Sequence, residues 1–256
     1  MSDGGSRSRI VGGEQAPPGY APHMAALVRG YIIKSLICGG SIVSKRHILT
    51  AAHCIDPIVI WGDKLHPSFH AVVGSTRWES GTIVRFSHYV NHPEWDWATI
   101  KNDIGVLYLT KELEFSSKVA VIALSFKWTD DGEKSYVTGW GRLGNWYPVP
   151  DYLQLLYLET ISAKECVEGI REASTWWGYE PRFDSKIEIC TFHSPGHGMC
   201  NGDSGSALVS RKTGHQIGIV SWGFPCALGA PDVFVRISGF KKFLLQNLGT
   251  NMSYIE

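Results

Sequence analysis

The stretch Gly202-Asp203-Ser204-Gly205-Ser206 surrounds one serine with small residues, and Thr50-Ala51-Ala52-His53-Cys54 places a histidine beside a cysteine. Between the two lies Asn102-Asp103-Ile104, an aspartate that leads into an apolar segment. A serine hydroxyl becomes a nucleophile when a base takes its proton, and histidine suits that task because its pKa lies near neutrality. A carboxylate must hold the imidazole in one tautomer, and flanking glycines let backbone N–H groups approach a developing oxyanion.

Each motif alone has an ordinary structural interpretation. His53 alone is typical of a structural histidine, Asp103 of a turn or the start of a strand, and Gly-Asp-Ser-Gly of a tight turn. The three together, in the order His53, Asp103, Ser204 and with cysteines between them, make coincidence improbable. We therefore predict these three residues as a catalytic set.

Composition restricts the partners and the compartment. The 256 residues are 44% hydrophobic, enough for a buried core, and 24 basic residues balance 24 acidic ones. A zero net charge argues against binding to nucleic acid or to anionic membranes, and no run approaches the roughly 18 apolar residues of a membrane span. Residues 1–9 contain no apolar stretch, so the sequence as numbered carries no signal peptide.

Six cysteines, without CxxC spacing, predict three disulfides formed in an oxidising compartment, with the connectivity left open by the count. Short segments rich in Val, Ile, Tyr and Trp, separated by Gly, Pro, Asn and Asp, predict strands of an antiparallel sandwich or barrel. Two segments look helical, 163–173 and 238–248, and the second has Gly249 as its stop. The predicted fold class is all-β with a C-terminal helix.

With Ile10-Val11-Gly12-Gly13, Gly139-Trp140-Gly141 and Ser221-Trp222-Gly223, these motifs resemble the chymotrypsin/trypsin-like serine protease family, in an invertebrate style with three disulfides. The resemblance implies two six-stranded antiparallel β-barrels with the active site between them. It also implies the following division: residues 1–9 as a pro-segment remnant, 10–248 as the protease domain (barrel 1 about 10–117, barrel 2 about 118–237, C-terminal helix 238–248), and 249–256 as a tail.

The resemblance also implies a role for each site residue. His53 acts as general base and then acid, Asp103 orients it, and Ser204 attacks the peptide carbonyl to form an acyl-enzyme. The N–H groups of Gly202 and Ser204 form the oxyanion hole, and the strand Ser221–Gly223 pairs with the substrate backbone. The implied disulfides are Cys38–Cys54, Cys166–Cys190 and Cys200–Cys226.

Activation is implied by Arg9-Ile10-Val11-Gly12-Gly13, which resembles a zymogen cleavage site. Cleavage after Arg9 would free the Ile10 amino group to pair with the Asp203 carboxylate, which would otherwise be buried and unpaired. We expect a secreted monomer that meets protein or peptide substrates, an activating protease and protein protease inhibitors. We expect no cofactor, no metal ion and no nucleic-acid or membrane partner.

Specificity is the ambiguous part of the sequence. Trypsin has an acid six residues before the serine, where this chain has Gly198, followed by Met199. Asp232 instead stands where trypsin has a pocket-wall glycine, as in crustacean collagenolytic proteases and neutrophil elastase. A mixed or chymotrypsin/elastase-like preference for the residue before the cleaved bond (P1) is favoured. The alternative is a trypsin-like enzyme that binds Arg or Lys through Asp232.

Several secondary expectations complete the prediction. Segments 58–69 and 174–179 look inserted beside the cleft, and the loop 74–81 has one acid, Glu79, too few for calcium. Asn251-Met252-Ser253 matches a glycosylation sequon. Two rival functions are a non-catalytic protease-fold binding protein, which an intact triad disfavours, and a carbohydrate- or heparin-binding β-domain, which zero net charge and scattered tryptophans disfavour.

Overall fold

The structure, a computed structural model of the chain, describes residues 11–178, 181–249 and 252–256. The predicted activation residues Arg9 and Ile10 and the sequon residue Asn251 lie outside the described residues, as does Tyr179 of the 174–179 segment. Among the described residues, no helix is both long and apolar enough to cross a membrane.

Six antiparallel strands close into barrel 1 because their apolar side chains alternate toward a common interior. Leu27, Ile48 and Leu107, on three different strands, have no exposed surface. In chain order the strands are Met24–Arg29, Ser35–Ile42, His47–Thr50, Phe69–Val73, Thr82–Asn91 and Gly105–Leu109. The 58–69 segment that looked inserted forms a separate small hairpin, Val59–Ile60 with Lys64–Leu65.

Six further antiparallel strands form barrel 2, which closes because Ala207–Ser210 pairs with a strand on each side. Its strands are Lys134–Gly139, Gln154–Ile161, Glu188–Phe192, Ala207–Ser210, Gln216–Gly223 and Asp232–Arg236. Three two-residue strands extend this sheet: Glu14–Gln15, Leu124–Ser125 and Tyr254–Ile255. The predicted pair of six-stranded antiparallel barrels is therefore confirmed.

The helices are Ala52–Ile55, Ala163–Trp177 and Lys241–Leu248, with single 3-10 turns at Asp56–Ile58, Pro225–Ala227 and Ile237–Phe240. The C-terminal helix is present, but its first predicted residues belong to the last 3-10 turn. The middle helix is longer than the predicted 163–173. It begins at a capping box in which Ser162 and Glu165 bond each other's backbone N–H, and it ends at Gly178 in the left-handed region.

The two barrels share one buried apolar cluster. Side chains at the junction between the barrels therefore have little freedom to move. The cluster unites Leu49 of barrel 1, Ile219 of barrel 2 and Leu244 of the C-terminal helix. A buried hydrogen bond from Ser41 Oγ to Gln216 Oε1, 2.8 Å long, also joins the barrels. Side chains from both barrels can therefore meet in a fixed geometry.

Candidate active site

His53 and Asp103 meet at the barrel junction through two hydrogen bonds. The His53 backbone N–H donates to Asp103 Oδ1 at 2.9 Å, and His53 Nδ1 lies 2.7 Å from Oδ2. Because a carboxylate only accepts, the proton must lie on Nδ1, and Nε2 keeps a free lone pair. His53 therefore presents its basic nitrogen away from Asp103.

Local structure fixes both partners of this pair. His53 lies in the short helix Ala52–Ile55, whose Cys54 forms a disulfide with Cys38 on the second strand of barrel 1. Asp103, only 1% exposed, lies two residues before the strand Gly105–Leu109. Burial lowers the pKa of His53, but the charge and hydrogen bond of Asp103 outweigh it, so the net shift is upward.

Ser221 supplies a third donor to Asp103, and sequence reasoning had assigned this residue to substrate binding alone. Its Oγ donates to Asp103 Oδ2 at 2.6 Å across the barrel junction. The two residues are 118 positions apart, and no local motif links them. The contact ties the substrate-binding strand directly to the carboxylate that orients His53.

Ser204 and His53 line one cavity of about 240 Å³ between the barrels. The Ser204 carbonyl accepts from Gly39 N at 2.8 Å, which ties the serine to barrel 1. Gly205 follows with φ +82°, and a Cβ atom there would lie 2.2 Å from Thr50 Oγ1. Only glycine fits at that position, so the small residues around Ser204 are required by space as well as by backbone conformation.

Two backbone N–H groups of this turn, those of Gly202 and Ser204, are the predicted oxyanion hole. Within the part of the chain that the structure describes, the N–H groups of Gly202 and Ser204 donate to no protein acceptor. Gly202 has φ +102°, a conformation that favours glycine. The pair predicted as an oxyanion hole is therefore available to an external acceptor.

Asp203 points away from the cavity into a fully buried site. Its carboxylate accepts from Gly141 N at 2.8 Å and from Cys200 N at 3.1 Å. Burial raises the pKa of Asp203 to about 7, although the two N–H donors act in the opposite direction. Gly139 and Gly141 leave room for it, since a Cβ on either would lie about 2 Å from its oxygens.

The same cavity extends from Ser204 to the predicted specificity residues. Met199, Ser221, Trp222, Gly223 and Asp232 all line it. A disulfide between Cys200 and Cys226 joins the segment before Ser204 to the segment after the strand Gln216–Gly223, and both segments line this cavity. One continuous cavity thus contains His53, Ser204 and most of the predicted specificity residues, while Asp103 lies buried beside His53 and Gly198 does not line the cavity.

Asp232 is nearly buried, at 7% exposure, and has one hydrogen-bond donor, Met199 N at 3.0 Å. A Cβ atom on Gly198 would lie 2.7 Å from Asp232 Oδ2, so the glycine makes room for the carboxyl group. Burial raises the pKa of Asp232 to about 8, the Met199 N–H opposes this, and the charge of Asp203 adds to it. Both Met199 and Asp232 line the cavity, so Met199 does not fully cover the Asp232 carboxyl group.

A buried ion pair behind Trp222 is the part of the site that sequence reasoning missed. Glu188 Oε1 accepts from Lys101 Nζ at 2.7 Å and from Trp222 Nε1 at 2.8 Å. Burial raises the pKa of Glu188, while its donors, Lys101 first among them, lower it. Lys101 lies two residues before Asp103, next to Ile100, whose φ of +52° is costly for a β-branched residue. Glu188 therefore links the segment that leads to Asp103 with the strand that contains Trp222.

The cysteines form the remaining disulfide and also belong to one set of potential metal ligands. Cys166–Cys190 joins the middle helix to barrel 2, so the three disulfides are the pairs that the family resemblance implies. Among the described residues, one set of three potential metal ligands converges, Cys38, His53 and Cys54. Its two sulfurs are bonded to each other, so they are not thiolate ligands.

The comparisons with known proteins agree with this geometry. The family model for trypsin matches residues 10–244. Chymotrypsin-2 of Vespa crabro is 35% identical over 240 residues, covering 93% of this chain and 99% of that protein. Trypsin alpha of Drosophila melanogaster is 33% identical over 240 residues, covering 93% and 86%. Relatives named for both chymotrypsin and trypsin match at similar identity, so likeness alone does not decide the preferred substrate.

A solved structure shows the same fold. Neuropsin, a serine protease expressed in the limbic system of mouse brain, superposes with a TM-score of 0.78. The sequences are 24% identical, and the match covers 92% of this chain and 98% of that chain. At this identity the likeness concerns the arrangement of the two barrels.

Proposed function

The chain belongs to the trypsin family and is a serine endopeptidase, and from that premise we propose a secreted enzyme that cleaves proteins through an acyl-enzyme formed on Ser204. The observation that carries this assignment is the pair of hydrogen bonds between Asp103 and His53, together with the cavity that His53 and Ser204 both line. Three disulfides are typical of an oxidising extracellular compartment.

In the proposed mechanism, Ser204 Oγ attacks the carbonyl carbon of the substrate and His53 Nε2 takes the hydroxyl proton. Asp103 stabilises the resulting imidazolium, because its carboxylate already accepts from Nδ1. The free N–H groups of Gly202 and Ser204 bind the oxyanion. His53 then gives the proton to the leaving amine, and water releases the acyl group by the same steps in reverse.

Activation is proposed to follow cleavage after Arg9. Asp203 is buried with two N–H donors and no cationic partner among the described residues. An incoming Ile10 ammonium would neutralise that carboxylate and lower its raised pKa. Residue Val11 already pairs with Gly198, two residues before Cys200, which brings the start of the described chain to this region.

For the P1 residue we propose a mixed preference that includes apolar side chains. With a pKa near 8, the Asp232 carboxyl is mostly neutral at pH 7, so an apolar side chain meets no buried charge. Binding Arg or Lys would first require its deprotonation, a cost of about tenfold in affinity per pH unit below that pKa. Trypsin-like cleavage through a charged Asp232 is the alternative.

A fluorophosphonate label tests the catalytic assignment directly. After cleavage at Arg9 by an Arg-specific protease, wild-type protein should be labelled at Ser204 and should hydrolyse peptides. Ser204→Ala should lose both properties, while Ser206→Ala, two residues away, should keep both. Wild-type protein that is cleaved at Arg9 and remains unlabelled would contradict the proposal and favour the non-catalytic binding protein.

A panel of peptide substrates that differ in P1 alone tests the specificity. We expect Leu, Phe, Tyr and Met to be cleaved at rates comparable to Arg and Lys near pH 7. A preference for Arg greater than about 30-fold, equivalent to roughly 2 kcal/mol of transition-state stabilisation, would establish the trypsin-like alternative.

A further inference from the structure

His193 and His197 form a stacked pair on the loop that leads to the specificity pocket. Their ring centroids are 4.4 Å apart and their planes differ by 21°. His193 is exposed and His197 is half-buried, so the pair is open to solvent on one side. Neither residue has a part in the catalytic or substrate-binding set described above.

A tight turn fixes the spacing of the two rings. His197 N donates to Ser194 O at 3.0 Å across Pro195 and Gly196, and Gly196 has φ +84°. Proline at the second position and a glycine with positive φ at the third are typical of a type II turn. The backbone therefore presents both imidazoles on one side before any ligand arrives.

The two Nδ1 atoms converge on a single point, now occupied by the Ser194 hydroxyl. Ser194 Oγ lies 2.8 Å from His193 Nδ1 and 2.9 Å from His197 Nδ1. One hydroxyl hydrogen can serve only one of these nitrogens, so the other imidazole must donate its own Nδ1–H. When the hydrogen of that imidazole moves to its Nε2, both Nδ1 lone pairs face one point, and imidazole nitrogens are ligands that suit a borderline metal ion.

We propose that His193 and His197 bind one divalent transition-metal ion, with Zn²⁺ as the probe. The ion takes the point between the two Nδ1 atoms, and a rotation of Ser194 clears it. Zinc–imidazole bonds are about 2.0–2.1 Å long, so each ring moves inward by less than about 1 Å. Water and the Ser194 hydroxyl complete the coordination. The expectation of no metal ion rested on spacing motifs and clustered acids, which do not detect histidines across a turn.

The proposed site contacts two other parts of the enzyme, the N-terminal segment and a wall of the specificity pocket. A Cβ atom on Gly12 would lie 2.0 Å from Cδ2 of His197, so the ring packs directly on the N-terminal segment. Gly196 N donates to Ala227 O at 2.7 Å, which links the turn to the opposite pocket wall. An ion that joins the two rings therefore stabilises the turn that connects these elements.

Direct binding of Zn²⁺ to the full chain is the test, repeated with His53→Ala to subtract any ion held by the catalytic imidazole. We expect one ion per chain and a thermal midpoint raised by about 5 °C at saturation, because the ion binds the folded state. His193→Ala should weaken binding at least about 10- to 100-fold and remove the stabilisation. The exposed His193 is preferred to His197 for this purpose, since its replacement leaves the Gly12 contact intact.

His88→Ala is the matched control, because His88 Nδ1 also contacts a serine hydroxyl, Ser87 Oγ at 3.0 Å, without a second imidazole on that oxygen. It should bind Zn²⁺ like the wild type. Ser194→Ala should also keep the ion, because the two nitrogens remain. Absence of saturable binding to the wild type, or equal binding by His193→Ala, would overturn the proposal. Neither outcome depends on whether Ser204 is catalytic, since Zn²⁺ binding is measured without turnover and the serine label reports catalysis in a separate experiment.

Discussion

Asp103 and Asp232 are both buried carboxyl groups beside one cavity, but their surroundings differ. Asp103 receives three donors, from the backbone and the ring of His53 and from Ser221. Asp232 receives one, from Met199 N, and the nearby Asp203 adds a like charge. Burial of a carboxylate is costly unless donors or cations replace water. The three donors therefore hold the Asp103 carboxyl group in one orientation, whereas burial with a single donor raises the pKa of Asp232 to about 8.

The difference separates the two tasks of the site. The orienting acid must hold one geometry throughout the reaction, and three donors fix it. The pocket acid meets side chains of different character, and a carboxyl group that gains or loses a proton tolerates several of them. The comparison predicts that equivalent substitutions at the two positions have effects of different kinds.

Asp103→Asn should have the largest effect, a loss of about 10⁴ in kcat, the magnitude that the family's triad template shows. The amide would donate to His53 Nδ1 and stabilise the wrong tautomer, which leaves Nε2 protonated. Steady-state kinetics on one good peptide substrate measures it. Asp56→Asn is the control, since Asp56 raises the pKa of His53 by its charge alone and makes no bond to the ring. An equal loss in both variants would mean that charge, rather than orientation, is the role of Asp103.

Asp232→Asn should change the choice of substrate while the chemistry remains. The variant cannot offer a charge to Arg or Lys, so kcat/KM for these substrates should fall by about 10- to 100-fold, the worth of one charge-assisted hydrogen bond. Substrates with Leu or Phe at P1 should change less than about threefold. The ratio of the two kcat/KM values is the measurement. A uniform loss for all substrates would indicate that Asp232 supports the pocket structurally.

The ratio of Arg to Leu cleavage should rise by about tenfold from pH 7 to pH 9, because the fraction of Asp232 that is charged rises through a pKa of about 8. The titration of His53 affects both substrates and cancels in the ratio. Asp232→Asn should give a flat ratio over the same range. A wild-type ratio that is already constant above pH 6 would show that Asp232 is charged in the working enzyme.

Ser221→Ala makes the Asp103 site more like that of Asp232 by removing one donor. The expected loss in kcat is about threefold to tenfold, roughly 1 kcal/mol, since two bonds from His53 remain. Ser221→Thr, which restores a hydroxyl, should recover part of the activity. A loss confined to KM would instead mean that Ser221 serves substrate binding alone.

The parts of this molecule that the sequence predicts are those encoded over short distances. Strand segments such as Gly105–Leu109 are indicated by their composition, and the motifs around His53 and Ser204 indicate their own chemistry. The start of the middle helix is encoded locally by Ser162 and Glu165, and its end at Trp177 by Gly178, a left-handed C-cap that the prediction of 163–173 did not use.

What the sequence does not predict depends on pairs that only the closed barrels bring together. The donor from Ser221 to Asp103 is one such contact, and the bond of Met199 to Asp232 is another. Even the pairing of the two histidines needs the turn conformation in addition to their spacing. Long-range contacts depend on which strands become neighbours, and short motifs do not specify that.

The ion pair between Lys101 and Glu188 has a mechanical consequence. Lys101 precedes the last strand of barrel 1, Glu188 lies in barrel 2, and the acid is only 3% exposed. Any hinge motion that separates the barrels at this point must pull the Lys101 ammonium away from a Glu188 carboxyl group that is almost fully buried, which is costly because Glu188 would lose its cationic partner. The two barrels should therefore unfold cooperatively, and heating should unfold both in a single transition instead of one after the other.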